Sequence, residues 1–204
     1  MSSYRIAIFA SGEGSNFQAL VDAAQAGNLG GAQVELLVCD KPAAPVVRRA
    51  EKAGIPCHLF IPKEYSSREE YEAEIVNRLE ELDVQLIVLA GYMRLLTPVI
   101  VDKYAGRLIN VHPSLLPAFP GTNAIGQALE YGVKISGVTV HYVDGGMDTG
   151  PIIAQRAIVV GTSETEATFA KSVHSVEREL YPYVVSLFAQ GKVKLEDRLV
   201  TIAE

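Results

Sequence analysis

The chain has 204 residues, enough for one large domain, and a hydrophobic content of 49% that supports a core and argues against disorder. The net charge of -6 disfavours binding to nucleic acid, which requires a basic surface. No apolar segment is long enough to span a bilayer, and MSSYRIAIFA is interpreted as a first strand and not as a signal peptide. The sequence therefore predicts a cytoplasmic protein with no membrane or nucleic-acid partner.

The first half of the chain alternates apolar strands with amphipathic helices. Strands of this kind, apolar on both faces and separated by helices, are typical of a parallel sheet covered by helices on each side. Residues 1–100 are therefore predicted to form a Rossmann-like half. The predicted strands cover residues 4–10, 34–39, 58–61 and 84–90, and the predicted helices cover residues 17–24, 46–52 and 67–82.

The second half, residues 101–204, is less regular. We predict strands at 107–111, 135–143 and 151–160 and a helix at 123–131. A long final helix is expected to begin with a capping box from Ser163 to Glu166, to kink at Pro182 and to end at Gly191. No linker or repeat interrupts the chain, so residues 1–204 are predicted to form a single α/β domain with a mostly parallel mixed sheet flanked by helices.

A glycine-rich loop, SGEGSN, connects the first strand to the first helix. Free amides at a helix start attract anions and glycines allow close approach, so this loop predicts a phosphate site, where a side chain on Gly14 would occupy the place of the phosphate. The lysine of a nucleotide-triphosphate loop is absent, and Phe17 replaces the third glycine of a dinucleotide loop. Asp40 at the end of the second strand keeps a nicotinamide protein open as an alternative, as does a tight turn without any ligand.

Two polar side chains end the strand in RLINVHPSLLPAFPG. Alternate residues of a strand share a face, so Asn110 and His112 point the same way. Pro113 keeps His112 extended, at the carboxyl end of a strand where open α/β sheets bind ligands. The simpler alternative is a structural histidine, but the amide neighbour and the strand-end position favour a functional pair.

Asp148 lies in DGGMDTG, a loop that its glycines make mobile. Turn chemistry is the simple explanation for such an aspartate, and its spacing from Asp144 does not fit a calcium loop. Acyl-transfer chemistry would place Asp148 beside His112, because a carboxylate favours the charged imidazole. The sequence alone does not establish that contact.

The remaining candidates are an apolar segment and two cysteines. AGYMRLLTP follows a buried strand, and its apolar residues fit ordinary core or the wall of a cleft for a flat ligand. Cys39 and Cys57 are interpreted as reduced, packed thiols of a reducing compartment. The Cys57-His58 pair lacks the spaced partners of a zinc site, so no metal is expected.

Taken together, these motifs resemble the folate-dependent formyltransferases over nearly the whole chain. The specific motifs are INVHPSLLPAFPG and GVTVHYVDGGMDTGPIIAQ, together with VCDKP and LAGYMRLLTP. Within this group, FASGEGSN and the chain length are similar to the phosphoribosylglycinamide formyltransferases of purine synthesis. The resemblance implies 10-formyltetrahydrofolate as co-substrate and glycinamide ribonucleotide as formyl acceptor.

The resemblance also implies a role for individual residues. It implies a cis peptide bond before Pro117. Glu13 departs from the pattern, because many relatives have asparagine there, and we expect its carboxylate to face solvent, since a negative charge beside a phosphate is costly. The implied residues are Asn110, His112 and Asp148 for catalysis; Gly14, Ser15, Asn16 and Glu177 for the ribonucleotide; and Arg68, Met93, Arg94, Leu95, Leu96, Val143 and Asp148 for folate.

Several alternatives stay open. The same machinery serves other folate-dependent formyltransferases, including those that act on sugar nucleotides, and formyltetrahydrofolate hydrolases. A non-catalytic nucleotide or folate regulator on a Rossmann-like fold belongs to a different class. The sequence leaves both a monomer and a homodimer open.

Overall fold

The computed structural model describes residues 3–203, so residues 1, 2 and 204 of the predicted domain lie outside it. Helices and strands alternate through the first half, as predicted. The strands are β1 (Tyr4–Phe9), β2 (Ala32–Cys39), β3 (Cys57–Leu59), β4 (Leu86–Leu89), β5 (Leu108–His112), β6 (Ile135–Tyr142), β7 (Ile152–Val159), β8 (Val193–Glu196) and β9 (Leu199–Ile202). The helices are α1 (Ser15–Gln25), α2 (Pro45–Ala53), α3 (Arg68–Glu81), α4 (Pro98–Val101), α5 (Ala124–Tyr131) and α6 (Glu166–Ala189), with a 3-10 turn at Pro62–Glu64.

Seven of these strands form one mixed sheet in the order β3-β2-β1-β4-β5-β6-β7. The first five strands of this order are parallel, β6 pairs antiparallel with β5, and β7 pairs antiparallel with β6. The predicted mostly parallel mixed sheet is therefore confirmed. The strand order reverses direction between β1 and β4, and a ligand of an open α/β sheet binds outside the carboxyl ends of strands at such a point.

Two apolar clusters cover the two faces of the sheet. Ile6 and Ile8 of β1 pack in one cluster with α1, α2 and α6, whereas Ala7 and Phe9 pack in the other with α3 and α4. This alternation is the period of two that a strand imposes on its side chains. It explains why the strands of the first half are apolar throughout.

The beginning of α6 differs from the prediction. The N-cap is Thr165, and not Ser163: its Oγ1 accepts from the Thr168 amide at 3.2 Å, and its own amide donates to Thr168 Oγ1 at 2.9 Å. Thr168 thus forms the hydrogen bond of the capping box that was expected from Glu166. Glu166 instead lies in the first turn of the helix. The helix then runs through Pro182 to Ala189, two residues before Gly191.

The predicted strand at 58–61 lies earlier, because its pairing with Leu37–Cys39 holds Cys57–Leu59 in the sheet. The β8–β9 hairpin was missed, although Val193 and Leu195 alternate with charged residues as in a half-exposed strand. None of the helices described between residues 3 and 203 is long and apolar enough to cross a membrane.

A buried tyrosine joins α6 to the middle of the sheet, and its removal should lower stability. Tyr181 Oη lies 2.8 Å from the Leu89 carbonyl and 3.1 Å from the Ile109 carbonyl. Tyr181→Phe should lower the free energy of unfolding by about 1 kcal/mol, because one hydrogen bond is lost without a change of shape. Urea denaturation measures this loss. Tyr183→Phe removes a half-exposed hydroxyl from the same helix and should leave stability unchanged; equal effects of the two substitutions would contradict the role of the Tyr181 hydroxyl.

Candidate active site

Strands β5 and β6 place three polar side chains on one face at the carboxyl end of β5. Asn110 and His112 share that face as predicted, and His112 is only 4% exposed. In the antiparallel pairing, His141 of β6 lies directly opposite Asn110. The Asn110 Nδ2 and His141 Nε2 atoms are 3.5 Å apart. The register therefore adds a second imidazole to the predicted pair.

The contacts of His112 define its proton positions. Its Nε2 lies 2.8 Å from the Phe119 carbonyl, which only accepts, so Nε2 carries a proton. Its Nδ1 lies 3.5 Å from Asp148 Oδ2. With a proton on Nδ1, the ring is an imidazolium beside a carboxylate, which is a favourable arrangement. Without that proton, the Nδ1 lone pair would face a carboxylate oxygen, which is unfavourable.

Asp148 lies between the two imidazoles, which the sequence alone did not establish. Its Oδ1 is 3.6 Å from His141 Nε2, and its Oδ2 accepts from the Gly121 amide at 2.7 Å. Burial alone would raise the pKa of this carboxyl, but the His141 ring, the Gly121 amide and the charge of His112 together bring the pKa below its ordinary value. The carboxylate is therefore ionised at neutral pH.

The proline-rich loop that follows β5 is held by hydrogen bonds to β6 and β7. Thr139 donates to the Ser114 carbonyl at 2.7 Å and accepts from the Leu116 amide at 3.0 Å, and Gln155 of β7 donates to the Leu116 carbonyl. The Leu116–Pro117 peptide bond is cis, as the resemblance implied. These bonds fix the loop that supplies the Phe119 carbonyl to His112.

His141 is the site residue that sequence reasoning missed. It is 2% exposed, and its Nδ1 donates to the Tyr142 carbonyl at 2.7 Å, which leaves Nε2 facing Asp148 and Asn110. A signal was present in ISGVTVHYV: Thr139 and His141 are polar neighbours on one strand face, opposite an apolar face. That pattern matches the Asn110–His112 pattern of β5.

The glycine loop between β1 and α1 has the shape of an anion site. Gly14 caps α1 with a φ of 75°, and the cap has no side-chain hydrogen bond, which leaves first-turn amides open. Glu13 is exposed to solvent, as expected. A Cβ on Gly14 would lie 2.5 Å from Val46 Cγ2 of α2. The expectation that a side chain here fills the place of a phosphate is therefore wrong, because it would press against α2 instead.

The predicted ribonucleotide residues come together where α1 meets α6. Ser15 and Asn16 are the first two residues of α1. Asn16 Nδ2 donates to Glu177 Oε2 at 3.0 Å, although 161 positions separate these residues in the sequence. Glu177 is only 5% exposed, and Asn16 Oδ1 is buried without a partner among the described residues.

Two of the predicted folate residues present apolar side chains to solvent after β4. Met93 and Leu95 are 73% and 60% exposed, which is unusual for large apolar side chains and fits the wall of an open cleft more than a core. Arg68 donates to the Leu95 carbonyl at 3.3 Å. Leu96 and Val143 are partly buried against one core cluster.

Arg94, also predicted to contact folate, is exposed to solvent but pairs with a buried carboxylate. Its Nε lies 2.8 Å from Oδ2 of Asp40, which is 3% exposed. Asp40 was considered above as the ribose-binding acid of a nicotinamide protein. Its carboxylate is instead paired with an arginine side chain. Cys39 and Cys57 are both free thiols.

Comparison with known proteins agrees with these motifs. Residues 4–185 match the formyl transferase family. The chain is 50% identical over 181 residues to the phosphoribosylglycinamide formyltransferase of Bacillus subtilis, an alignment that covers 89% of this chain and 92% of that protein. This chain belongs to the phosphoribosylglycinamide formyltransferases.

Solved structures of this formyltransferase family have the same fold. The crystal structure of glycinamide ribonucleotide transformylase 1 from Symbiobacterium toebii superimposes with a TM-score of 0.96 at 39% identity and covers 99% of this chain and 95% of its own. The enzyme of the same name from Geobacillus kaustophilus gives 0.90 at 50% identity, with 92% and 100% covered. The resemblance and the α/β fold inferred from the sequence are thereby confirmed.

Proposed function

We propose that this formyltransferase moves the formyl group of 10-formyltetrahydrofolate to the amine of glycinamide ribonucleotide in purine synthesis. The observation that carries this proposal is the convergence of Asn110, His112 and Asp148 at one strand end, in a chain half identical to a phosphoribosylglycinamide formyltransferase. Hydrogen-bond donors beside a partly buried carboxylate suit an acyl transfer in which negative charge develops on oxygen.

In the proposed mechanism, the amine nitrogen attacks the formyl carbon and its oxygen becomes negative. Asn110 Nδ2–H and protonated His112 donate hydrogen bonds to that oxygen. Because Nε2 of His112 is held by the Phe119 carbonyl, Nδ1 is the ring nitrogen that faces the reaction. One such donor is typically worth about 3 kcal/mol of barrier. Neither cysteine takes part, since no acyl-enzyme forms.

Asp148 has two roles in this proposal. Its carboxylate stabilises the charge on His112, and it takes a proton from the attacking amine. That proton goes through water to the folate nitrogen as the bond from that nitrogen to the formyl carbon breaks. The ionised state of Asp148 supports this role, because a base must be deprotonated before the amine attacks.

The two substrates are proposed to bind on either side of this centre. Gly14, Ser15, Asn16 and Glu177 hold the ribonucleotide, and the folate lies along the surface that contains Met93 and Leu95. Arg68, Arg94, Leu96 and Val143 complete the folate side. Residues 1–100 are proposed as the phosphate-binding half and residues 101–204 as the catalytic and folate-binding half. Five of the proposed folate residues, from Arg68 to Leu96, nevertheless lie in the first half.

All the proposed site residues come from one chain, so a homodimer is not needed to complete the site. We also propose a cytoplasmic location, because two free cysteines fit a reducing compartment.

The phosphate loop can be tested by Gly14→Val. The new side chain would collide with Val46 and strain a left-handed backbone, so the loop must move. Affinity for glycinamide ribonucleotide should fall by about 10-fold or more, whereas folate affinity should change little. Isothermal titration of each ligand measures this split.

Gly27→Val is the matched control for Gly14→Val. Gly27 has the same φ of 75° but no heavy atom within 4 Å of its Cβ position. This variant should bear the backbone strain without moving the loop. Equal losses of both ligands in the Gly14 variant, or equal effects of the two variants, would contradict the phosphate assignment.

Transfer of labelled formyl from 10-formyltetrahydrofolate to glycinamide ribonucleotide by the purified protein tests the function itself. Formate released without an acceptor would identify a hydrolase, and formylation of a sugar nucleotide in preference would identify another transferase. Binding of both ligands without turnover would identify a regulator.

A further inference from the structure

The surface proposed for folate lies on an irregular segment, residues 91–97, between β4 and α4. We call it the wall segment; it contains no helix or strand. Met93 and Leu95 point into solvent, so burial of these two side chains does not hold the segment in place. Irregular backbone at the surface is mobile unless other elements hold it. The wall segment therefore depends on anchors from elsewhere in the fold.

Two of these anchors come from the carboxyl ends of neighbouring strands. Ser11, just after β1, accepts from the Met93 amide through its Oγ at 2.9 Å. Asp40, directly after β2, pairs with Arg94 Nε at 2.8 Å. Both acceptors are buried, so they hold the wall segment from beneath. These bonds fix its first half.

The end of the wall segment is held by a carboxylate of α3. Glu72 accepts from the Thr97 amide at 3.0 and 3.1 Å and from the Thr97 hydroxyl at 2.6 Å. Thr97 is also the N-cap of α4, and its Oγ1 accepts from the Val99 amide at 3.3 Å. Within residues 3–203, every hydrogen bond of the Glu72 carboxylate goes to Thr97. Glu72 thus fixes one residue, at the point where the wall segment becomes a helix.

A carboxylate is a costly side chain for this place. Glu72 is 0% exposed, and a buried carboxylate is unfavourable unless hydrogen bonds satisfy its oxygens. Burial raises the pKa of Glu72, whereas the hydroxyl and amide of Thr97 and the charge of Arg68 lower it. An apolar side chain would pack α3 against the sheet without this cost. The contact with Thr97 therefore accounts for the carboxylate.

We propose that Glu72 is a positioning residue for the folate side, which acts through Thr97 to hold Met93 and Leu95 in place before folate binds. Because Glu72 is buried, it does not itself contact folate. An ordered wall segment spares the complex the free energy of ordering that segment on binding. This inference rests on the proposed function of the same site.

Loss of the anchor should appear in folate affinity and not in the chemical step. Once folate is bound, its contacts with Met93 and Leu95 order the wall segment, so the cost arises on binding. The proposed catalytic side chains belong to β5 and to the loop after β6, away from this anchor. The KM for folate should therefore rise while kcat at saturating folate is retained, the pattern of lost uniform binding.

The anchor can be tested by isothermal titration and steady-state formyl transfer with 10-formyltetrahydrofolate. Glu72→Ala leaves two Thr97 donors without an acceptor and should raise the folate Kd and KM by about 10-fold. Glu72→Gln keeps the size and one acceptor oxygen, so both constants should return to within about 3-fold of those of the unaltered protein. Thr97→Val removes one donor and should raise the folate KM by about 3-fold. If Glu72 acts through Thr97, the double variant should resemble Glu72→Ala alone.

Two controls separate positioning from a general loss of stability. Leu79→Ala removes a fully buried side chain from the same helix, two turns further on. It should lower the thermal midpoint but leave the folate KM unchanged. Amide hydrogen exchange in residues 91–97 should be faster in Glu72→Ala than in Leu79→Ala, and folate should slow it in both. The ribonucleotide Kd should change by less than about 2-fold in every variant.

Several outcomes would overturn the inference. An unchanged folate KM in folded Glu72→Ala would do so while formyl transfer leaves the proposed function standing. Equal losses of folate and ribonucleotide affinity, or a folate loss matched by Leu79→Ala, would show that Glu72 only stabilises the fold. If Glu72→Ala does not fold, a folate-specific rise of KM in Thr97→Val supports the inference and an unchanged KM overturns it. No folate binding and no formyl transfer by the unaltered protein would overturn the proposed function as well.

Discussion

Replacing His112 by alanine is expected to lower kcat by about 100- to 1,000-fold, the range found when one oxyanion donor is removed. The loss should occur in the chemical step, because His112 is 4% exposed at a strand end and not on the apolar surface proposed for folate. Folate affinity should therefore change little. Single-turnover formyl transfer together with folate titration measures both quantities.

The structure suggests two checks on this result. His112→Ala leaves the Phe119 carbonyl without its donor, so the thermal midpoint of the variant must be measured to separate lost chemistry from a disordered loop. Asn110→Ala removes the other proposed donor. If both donors stabilise one oxygen, the double variant should lose less than the product of the single losses. Near-normal turnover in folded His112→Ala would exclude the proposed role.

The first half of the fold and the pair on β5 followed from local patterns. Apolar segments between helices predict a parallel sheet, and a period of two places Asn110 and His112 on one face without knowledge of any distant residue. The glycine loop was recognisable because its glycines come between a strand and a helix. These features depend on neighbours in the sequence.

The rest of the site depends on pairings that a single sequence does not contain. Asp148 meets His112 only through the loop that follows β6 and its bond to Gly121, and His141 meets Asn110 only in the observed antiparallel register. The contact of Asn16 with Glu177 requires α6 to pack on α1. The grouping of Asp148 with Asn110 and His112 was predicted from the family resemblance and not from local sequence patterns.

Cap chemistry also limited the prediction of α6. Ser163 and Glu166 have the right spacing for a capping box, but Thr165 and Thr168 have the same spacing and form the observed one. Both pairs contain residue types that suit a helix start. The sequence therefore placed the N-terminus of α6 within two residues, but it did not select the pair of residues that caps the helix.

Asp148→Asn is expected to lower the maximal rate by about 100-fold or more across the pH range in which the carboxylate is ionised. The rate falls because an amide cannot accept a proton from the attacking amine, a step typically worth about 100- to 10,000-fold. Asparagine keeps the size of the side chain and can still accept from the Gly121 amide, so the loop geometry should be retained.

The loss of rate in Asp148→Asn is expected throughout the neutral and alkaline range. The pKa of Asp148 lies below its ordinary value, so the carboxylate is ionised over that whole range and the substitution removes the base at every such pH. The carboxylate also faces His112 Nδ1 at 3.5 Å, so the substitution removes the negative partner of the protonated ring.

Because glycines surround Asp148, its loop is expected to order when folate binds. The loss should therefore be larger in kcat, which reports the ternary complex, than in kcat/KM. A pH–rate profile of Asp148→Asn with an unchanged maximal rate would mean that Asp148 only forms the turn.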